Sequence, residues 1–187
     1  PINVYRCGNG RCGEESTFTI SALRSAGIPA RQVYAPFWSH CDDNHAWVEV
    51  WCDGDWHYLG ACEPEAVLDK GWFTNAASRA MMIGSRWYDR AMPDEKVIGK
   101  DGMNRIINLL GKYAKTRWIT ITVEDLDGTP AAGAKVRAEV MNYGEFSPIA
   151  IMEADKNGCI SFETGFGSLL ICAVYDGAYG EKVIDTR

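Results

Sequence analysis

Between Glu14 and Ala26, apolar and small residues (Phe18, Ile20, Ala22, Leu23) alternate with polar ones at helical spacing, and Gly27-Ile28-Pro29 closes the run. A strand is predicted from Arg31 to Trp38, a polar loop over residues 39–44, and a second strand from His45 to Trp51. Period-two alternation in that second strand places Ala46, Val48 and Val50 on one face and His45, Trp47, Glu49 and Trp51 on the other. Cys52-Asp53-Gly54-Asp55 reads as a hairpin turn, with residues 56–62 returning as the partner strand. From Gly71 to Thr116 the pattern is less regular; NAASRAMMIGSRWYDRAM and NRIINLLGKYAK read as separate possible helices of a connector. Beyond Arg117 the period returns to two, through Ile119, Ile121 and Val123 and then Ala134, Val136, Ala138 and Val140. Asp127-Gly128 and Asn157-Gly158 supply turns, so several short strands over the last part predict a small all-β sandwich.

Composition supports this division. The 187 residues are 47% hydrophobic, with seven Trp and eight Tyr, enough for one or two cores. Of 19 basic and 25 acidic side chains, residues 117–187 hold 6 and 11, so nearly all of the net charge of −6 lies in the second part. An acidic balance without a basic stripe argues against nucleic acid, and no 18-residue apolar run is present to insert in a membrane. A start at Pro1, with neither methionine nor a signal-like stretch, suggests a fragment of a larger multidomain protein with sequence upstream.

Chemistry concentrates near the start of the chain. Cys12 sits between glycine-bearing residues directly before the predicted helix, and a helix N-terminus favours a thiolate through its free N–H groups and its dipole. His45, opening a strand, is of the right type to be the base of such a nucleophile. Seven cysteines (Cys7, Cys12, Cys41, Cys52, Cys62, Cys159 and Cys172) leave at least one unpaired in any intramolecular disulfide scheme. Cys12 is the natural free thiol, and the others read as structural. His40 and His57 read as surface or loop residues, Met81 and Met82 as core fillers, and Trp47, Trp51 and Trp56 as packing of the hairpin faces.

The order GRCGE, helix, AGIPAR, strand, HAWVEVW, turn and WHYLGACEPE resembles the transglutaminase-like superfamily of papain-type cysteine enzymes, with further likeness to its peptide N-glycanase branch. The resemblance covers roughly residues 3–73 and implies Cys12 as nucleophile and His45 as base. Its usual aspartate, in a WxxLD pattern, is replaced by Gly60 in WHYLG. Glu63 is the nearest acid, and a bulge around Gly60-Ala61 is needed to turn it toward His45, since strand parity alone opposes it. Asp42, Asp43 and Glu65 are weaker substitutes. The second part, with its DxDGxPxxGAxV opening and later DxNG turn, is similar to carboxypeptidase-regulatory-like or transthyretin-like sandwiches. Such modules imply positioning or surface display in an extracellular or periplasmic setting.

The resulting expectation is an α+β chain. A papain-like, transglutaminase-type core (helix packed on antiparallel sheet) spans 1–73, with part of it upstream of Pro1. A partly helical connector spans 74–116, and a C-terminal all-β sandwich spans 117–187. The expected activity is thiol-dependent acyl transfer on amide bonds of a protein, peptide or glycopeptide, by hydrolysis or transamidation, through Cys12, His45 and Glu63 and with no cofactor. One alternative is a catalytically impaired peptide- or glycan-binding module. Another is a structural zinc domain using Cys7, Cys12, Cys41 and His45 as tetrahedral ligands.

Overall fold

The computed structural model describes residues 1–61, 63–88 and 96–187. A short helix α1 (Ile2–Cys7) precedes α2 (Cys12–Ser25), which starts two residues earlier than the apolar pattern suggests. The carboxylate of Glu14 accepts the backbone N–H of Arg11 at 2.8 Å, satisfying one donor of the first turn. At the other end Gly27 takes φ 80°, a conformation that costs glycine little and stops the helix.

Strands β1 (Ala30–Ala35), β2 (His45–Cys52) and β3 (Asp55–Leu59) follow. The β2–β3 loop is the predicted Asp53-Gly54, with φ of 52° and 86°, the left-handed pair that matches a two-residue hairpin to strand twist. Register pairs Ala35 with His45, Val33 with Trp47 and Arg31 with Glu49, so these six share a face. Phe73, Ala77, Ala80, Ile83 and Leu110 cover that face. On the opposite face, Val48, Val50 and Ala30 pack with Ile20 and Leu23 of α2. The alternation read from sequence is therefore the alternation in space.

The stretch expected to be a partly helical connector folds differently. Among the described residues it holds one four-residue helix, α3 (Thr74–Ala77), and three strands, β4 (Gly84–Trp87), β5 (Val97–Asp101) and β6 (Asn104–Asn108). The helix expected over NRIINLLGKYAK is corrected to β6 followed by a 3-10 turn, Leu110–Lys112. The first possible helix runs partly into residues 89–95, outside the described residues. The new strands extend the first sheet to six, in the order β3-β2-β1-β4-β6-β5. Close approach explains the choice: a side chain at Gly84 would meet Ile106 at 3.1 Å, and one at Gly99 would meet it at 3.2 Å. Met81 and Met82 are fully buried, as expected of core fillers.

The last part is all strand. β7 (Arg117–Thr122) pairs with β10 (Cys159–Thr164), while β8 (Lys135–Asn142), β9 (Glu145–Glu153), β11 (Ser168–Tyr175) and β12 (Ala178–Asp185) form a sheet in the order β12-β11-β8-β9. Ile160 and Phe162 from one sheet and Val136, Ala138, Val140 and Ile171 from the other share one apolar cluster, which Met81, Met82 and Ile98 join. Two aspartates build matching turns: Asp125 Oδ1 accepts the N–H of Asp127 and Thr129 at 2.9 Å, and Asp155 Oδ1 accepts those of Asn157 and Cys159 at 2.8 and 2.9 Å.

The two sheet systems are stitched together by polar side chains. Asn142 Nδ2 reaches the carbonyls of Trp38, Cys41 and Asp43 at 2.8, 3.0 and 3.2 Å, and Asp42 Oδ1 accepts the N–H of Tyr143 at 2.7 Å. The loop leading into His45 is thus held by the β8–β9 hairpin. No helix among the described residues is long and apolar enough to cross a membrane.

Candidate active site

Cys12 opens α2 as a half-buried free thiol, and its carbonyl accepts the hydroxyl of Ser16. Glu14 and Glu15 occupy the same first turn, sharing its positive end. Gln32 of β1 donates to the carbonyl of Gly13 at 2.9 Å, which seats the start of the helix over the β1–β2 pair.

His45 is buried among aromatic rings. It lies 4.7 Å from the Trp72 ring, 4.8 Å from Phe73 and 5.9 Å from Trp47, centroid to centroid. Its Nε2 is buried without a hydrogen-bond partner among the described residues. Burial lowers the pKa of His45 below the ordinary imidazole value, and the nearby charges of Glu63 and Asp43 oppose that shift without overcoming it. The imidazole is therefore neutral at pH 7. Cys12 stands at the start of α2 and His45 at the start of β2.

Glu63 reaches the histidine through an aromatic intermediary. Its Oε1 accepts the indole N–H of Trp72, whose ring packs on His45. No bulge is required, because β3 ends at Leu59 and strand parity does not run on to residue 63. Gly60 is itself tightly packed: a Cβ there would stand 3.1 Å from the Glu63 carbonyl and 3.5 Å from Phe73, so the usual aspartate has little room. The substitutes are engaged elsewhere. Asp42 holds Tyr143, Asp43 Oδ1 accepts the N–H of Asn44 at 2.8 Å, and Glu65 lies 3.8 Å from Lys70.

Behind His45 runs a buried chain of side chains that the sequence did not flag. Trp47 donates its indole N–H to Tyr113 Oη at 3.0 Å, and Tyr113 donates to Glu49 Oε1 at 2.5 Å. Glu49 is in turn ion-paired to Arg31 at 2.5 Å and lies 3.4 Å from Lys112. Burial and the Glu49 carboxylate hold the Tyr113 hydroxyl well above its usual pKa, so it stays a proton donor. Trp72 and Tyr113 come from segments far from either motif, and only an unusual aromatic density signalled them.

Residues 1–61 match the transglutaminase-like superfamily. The matched stretch takes in Cys12, His45 and β1–β3, and ends before Glu63. No curated protein matches the chain. The transglutaminase-like region holds four cysteines among the described residues, all free: Cys7 and Cys41 exposed, Cys12 and Cys52 half-buried. Cys62 lies outside the described residues. Among those described, no three His, Cys, Asp or Glu side chains converge as metal ligands, so Cys7, Cys12, Cys41 and His45 do not form the tetrahedral set that the zinc alternative requires. Of the other histidines, His57 is paired to Asp69 at 2.6 Å, which raises its pKa, while both ring nitrogens of His40 are buried and unpartnered, unlike a surface residue.

Proposed function

We propose that this chain catalyses thiol-dependent acyl transfer on amide bonds of a protein, peptide or glycopeptide. The superfamily match across Cys12 and His45 is the observation that carries this reading. His45 takes the Cys12 proton as sulfur attacks the carbonyl carbon. The tetrahedral intermediate then collapses to a thioester, with the proton passing to the departing amine. Water or a second amine attacks the thioester, giving up its proton to His45, and the thiol is restored. The backbone N–H groups opening α2 are the natural donors for the oxyanion. A neutral imidazole suits a base that must accept a proton. Glu63 acts as a positioning residue, holding Trp72 against the ring.

The C-terminal strands serve, in this proposal, as a carboxypeptidase-regulatory-like positioning module of a larger extracellular or periplasmic protein. A second reading, a catalytically silent peptide- or glycan-binding module, draws support from Gly60 in place of the usual acid.

Amide-release assays on a peptide and glycopeptide panel, paired with iodoacetamide labelling of Cys12 against pH, separate the two. Under the first reading Cys12→Ala removes turnover, by roughly a thousandfold or more. His45→Ala slows labelling of Cys12 in the free protein. If Cys12 labels no faster than exposed Cys7 and Cys41 under every condition, and Cys12→Ala leaves amide release unchanged, acyl transfer is excluded.

A further inference from the structure

A cleft of about 1070 Å³ lies between segments 39–40, 78–80 and 111–115 on one side and the sandwich strands β8, β9, β11 and β12 on the other. That is at the upper limit of pockets for single small ligands, roughly 300–1,000 Å³. Among the described residues its lining includes Arg79, Lys112, Lys115, Arg187 and His40 and no aspartate or glutamate, on a chain whose net charge is −6. Two of these cations have nearby acids: Arg187 pairs with Asp185 at 2.9 Å, and Lys112 shares Glu49 with Arg31. Arg79 donates to the Asn75 carbonyl at 3.4 Å, and neither it nor Lys115 has an acidic partner among the described residues.

The neutral surface of the cleft is as unusual. Phe146, Phe166 and Val183 line it while 46, 45 and 65% exposed, so apolar area is left open beside the cations. At the same wall, His40 keeps both ring nitrogens buried without a hydrogen bond among the described residues. Burial and the Arg79 charge lower the pKa of this ring, which packs on Trp38 at 5.5 Å.

We propose that this cleft docks an acidic peptide segment whose carboxylates meet Arg79 and Lys115 and whose apolar side chains cover Phe146 and Phe166. The cations come from three parts of the chain, 78–80, 111–115 and Arg187, and the lining also holds apolar residues of the sandwich strands. An extended chain carrying acids and apolar groups in turn engages several. Docking is independent of acyl transfer at Cys12, because binding is read without turnover.

The test uses fluorescence anisotropy on the Cys12→Ala chain with two labelled octapeptides, one alternating glutamate and leucine, the other glutamine and leucine. The glutamate peptide is expected to bind at least roughly tenfold tighter, with the advantage shrinking as salt rises. The double substitution Arg79→Glu with Lys115→Glu, both exposed positions, should erase that advantage, and Lys115→Gln alone should reduce it severalfold. Arg6→Glu on α1 serves as the control and should change nothing. Equal affinity for the two peptides, no binding of either, or indifference of the glutamate peptide to the double substitution overturns the proposal.

Discussion

In the first sheet, β2 buries Glu49 and His45 on either side of Trp47, and their partners are other side chains: Arg31, Tyr113 and the rings of Trp72 and Phe73. In the C-terminal strands the apolar cluster around Val136, Phe162 and Ile171 is closed instead by polar groups that bond to main chain. Thr164 donates to the Met81 carbonyl, Thr186 to Gly165 and Asn142 to the loop before β2. Side chain–side chain networks in low dielectric respond to the loss or gain of one charge, whereas bonds to backbone carbonyls act as fasteners. The larger buried network of ions and aromatic rings therefore lies in the first sheet, while the sandwich keeps a smaller one, in which Glu139 meets Arg137 and the Cys172 thiol.

Removing the charge at the centre of the network should have the largest effect. Glu49→Ala strands the Arg31 guanidinium beside Trp56, 4.1 Å from its ring, and deprives Tyr113 of its acceptor. A loss of roughly 3–5 kcal/mol is expected, read from the urea midpoint. A loss below about 1 kcal/mol would mean that this interior is no more charge-sensitive than a protein surface, and the contrast between the two regions would fail. Asn142→Ala should cost less, roughly 1–3 kcal/mol, since it frees carbonyls that water can reach once the loop loosens. Its signature is local. Hydrogen exchange should accelerate at the amides of Trp38 and Asp43, which bond within that loop, more than at Val48 or Val50. Uniform acceleration across both sets would show that Asn142 contributes to global stability only.

Much of this arrangement is legible in the residues, for identifiable reasons. His45 to Trp51 alternates strictly because each face meets a different apolar layer, and Asp53-Gly54 and the Asp125 and Asp155 turns follow from side-chain-to-backbone bonding within a few residues. The run NRIINLL misleads because its clustered apolar residues suit a helix equally well. Only the closeness of Gly84 and Gly99 to Ile106 makes the strand the better burial, and that contact is invisible locally. Cys12 and His45 could be chosen by type and position. The rings that enclose His45 could not, since Trp72 and Phe73 come from a segment outside both motifs. Trp72 and Tyr113 escaped notice because they reach His45 and Glu49 from elsewhere in the chain.

The smallest expected effect probes the same contrast by titration. His45 has its pKa lowered chiefly by burial, so as pH falls below about 6.5 the unfolded chain takes up a proton that the folded one resists. Its contribution to stability is full above that value and declines as pH falls toward its lower folded pKa. His40 acts in the same direction, again through burial. His57 acts oppositely: hydrogen bonding to Asp69 raises its pKa, so its contribution is full below about 6.5 and is lost as pH rises through the folded value. The three slopes overlap, and a single wild-type curve does not separate them. Urea midpoints measured across this range for wild type and His45→Gln, differenced at each pH, isolate the site. The wild type should lose stability relative to His45→Gln as pH falls below about 6.5, while His57→Gln should change the curve with the opposite sign. A flat difference for His45→Gln would mean that the ring protonates as easily folded as unfolded, and hence that the aromatic wall of Trp72 and Phe73 does not shield it. That outcome would remove the charge sensitivity of the first sheet at the residue where the proposed chemistry most depends on it.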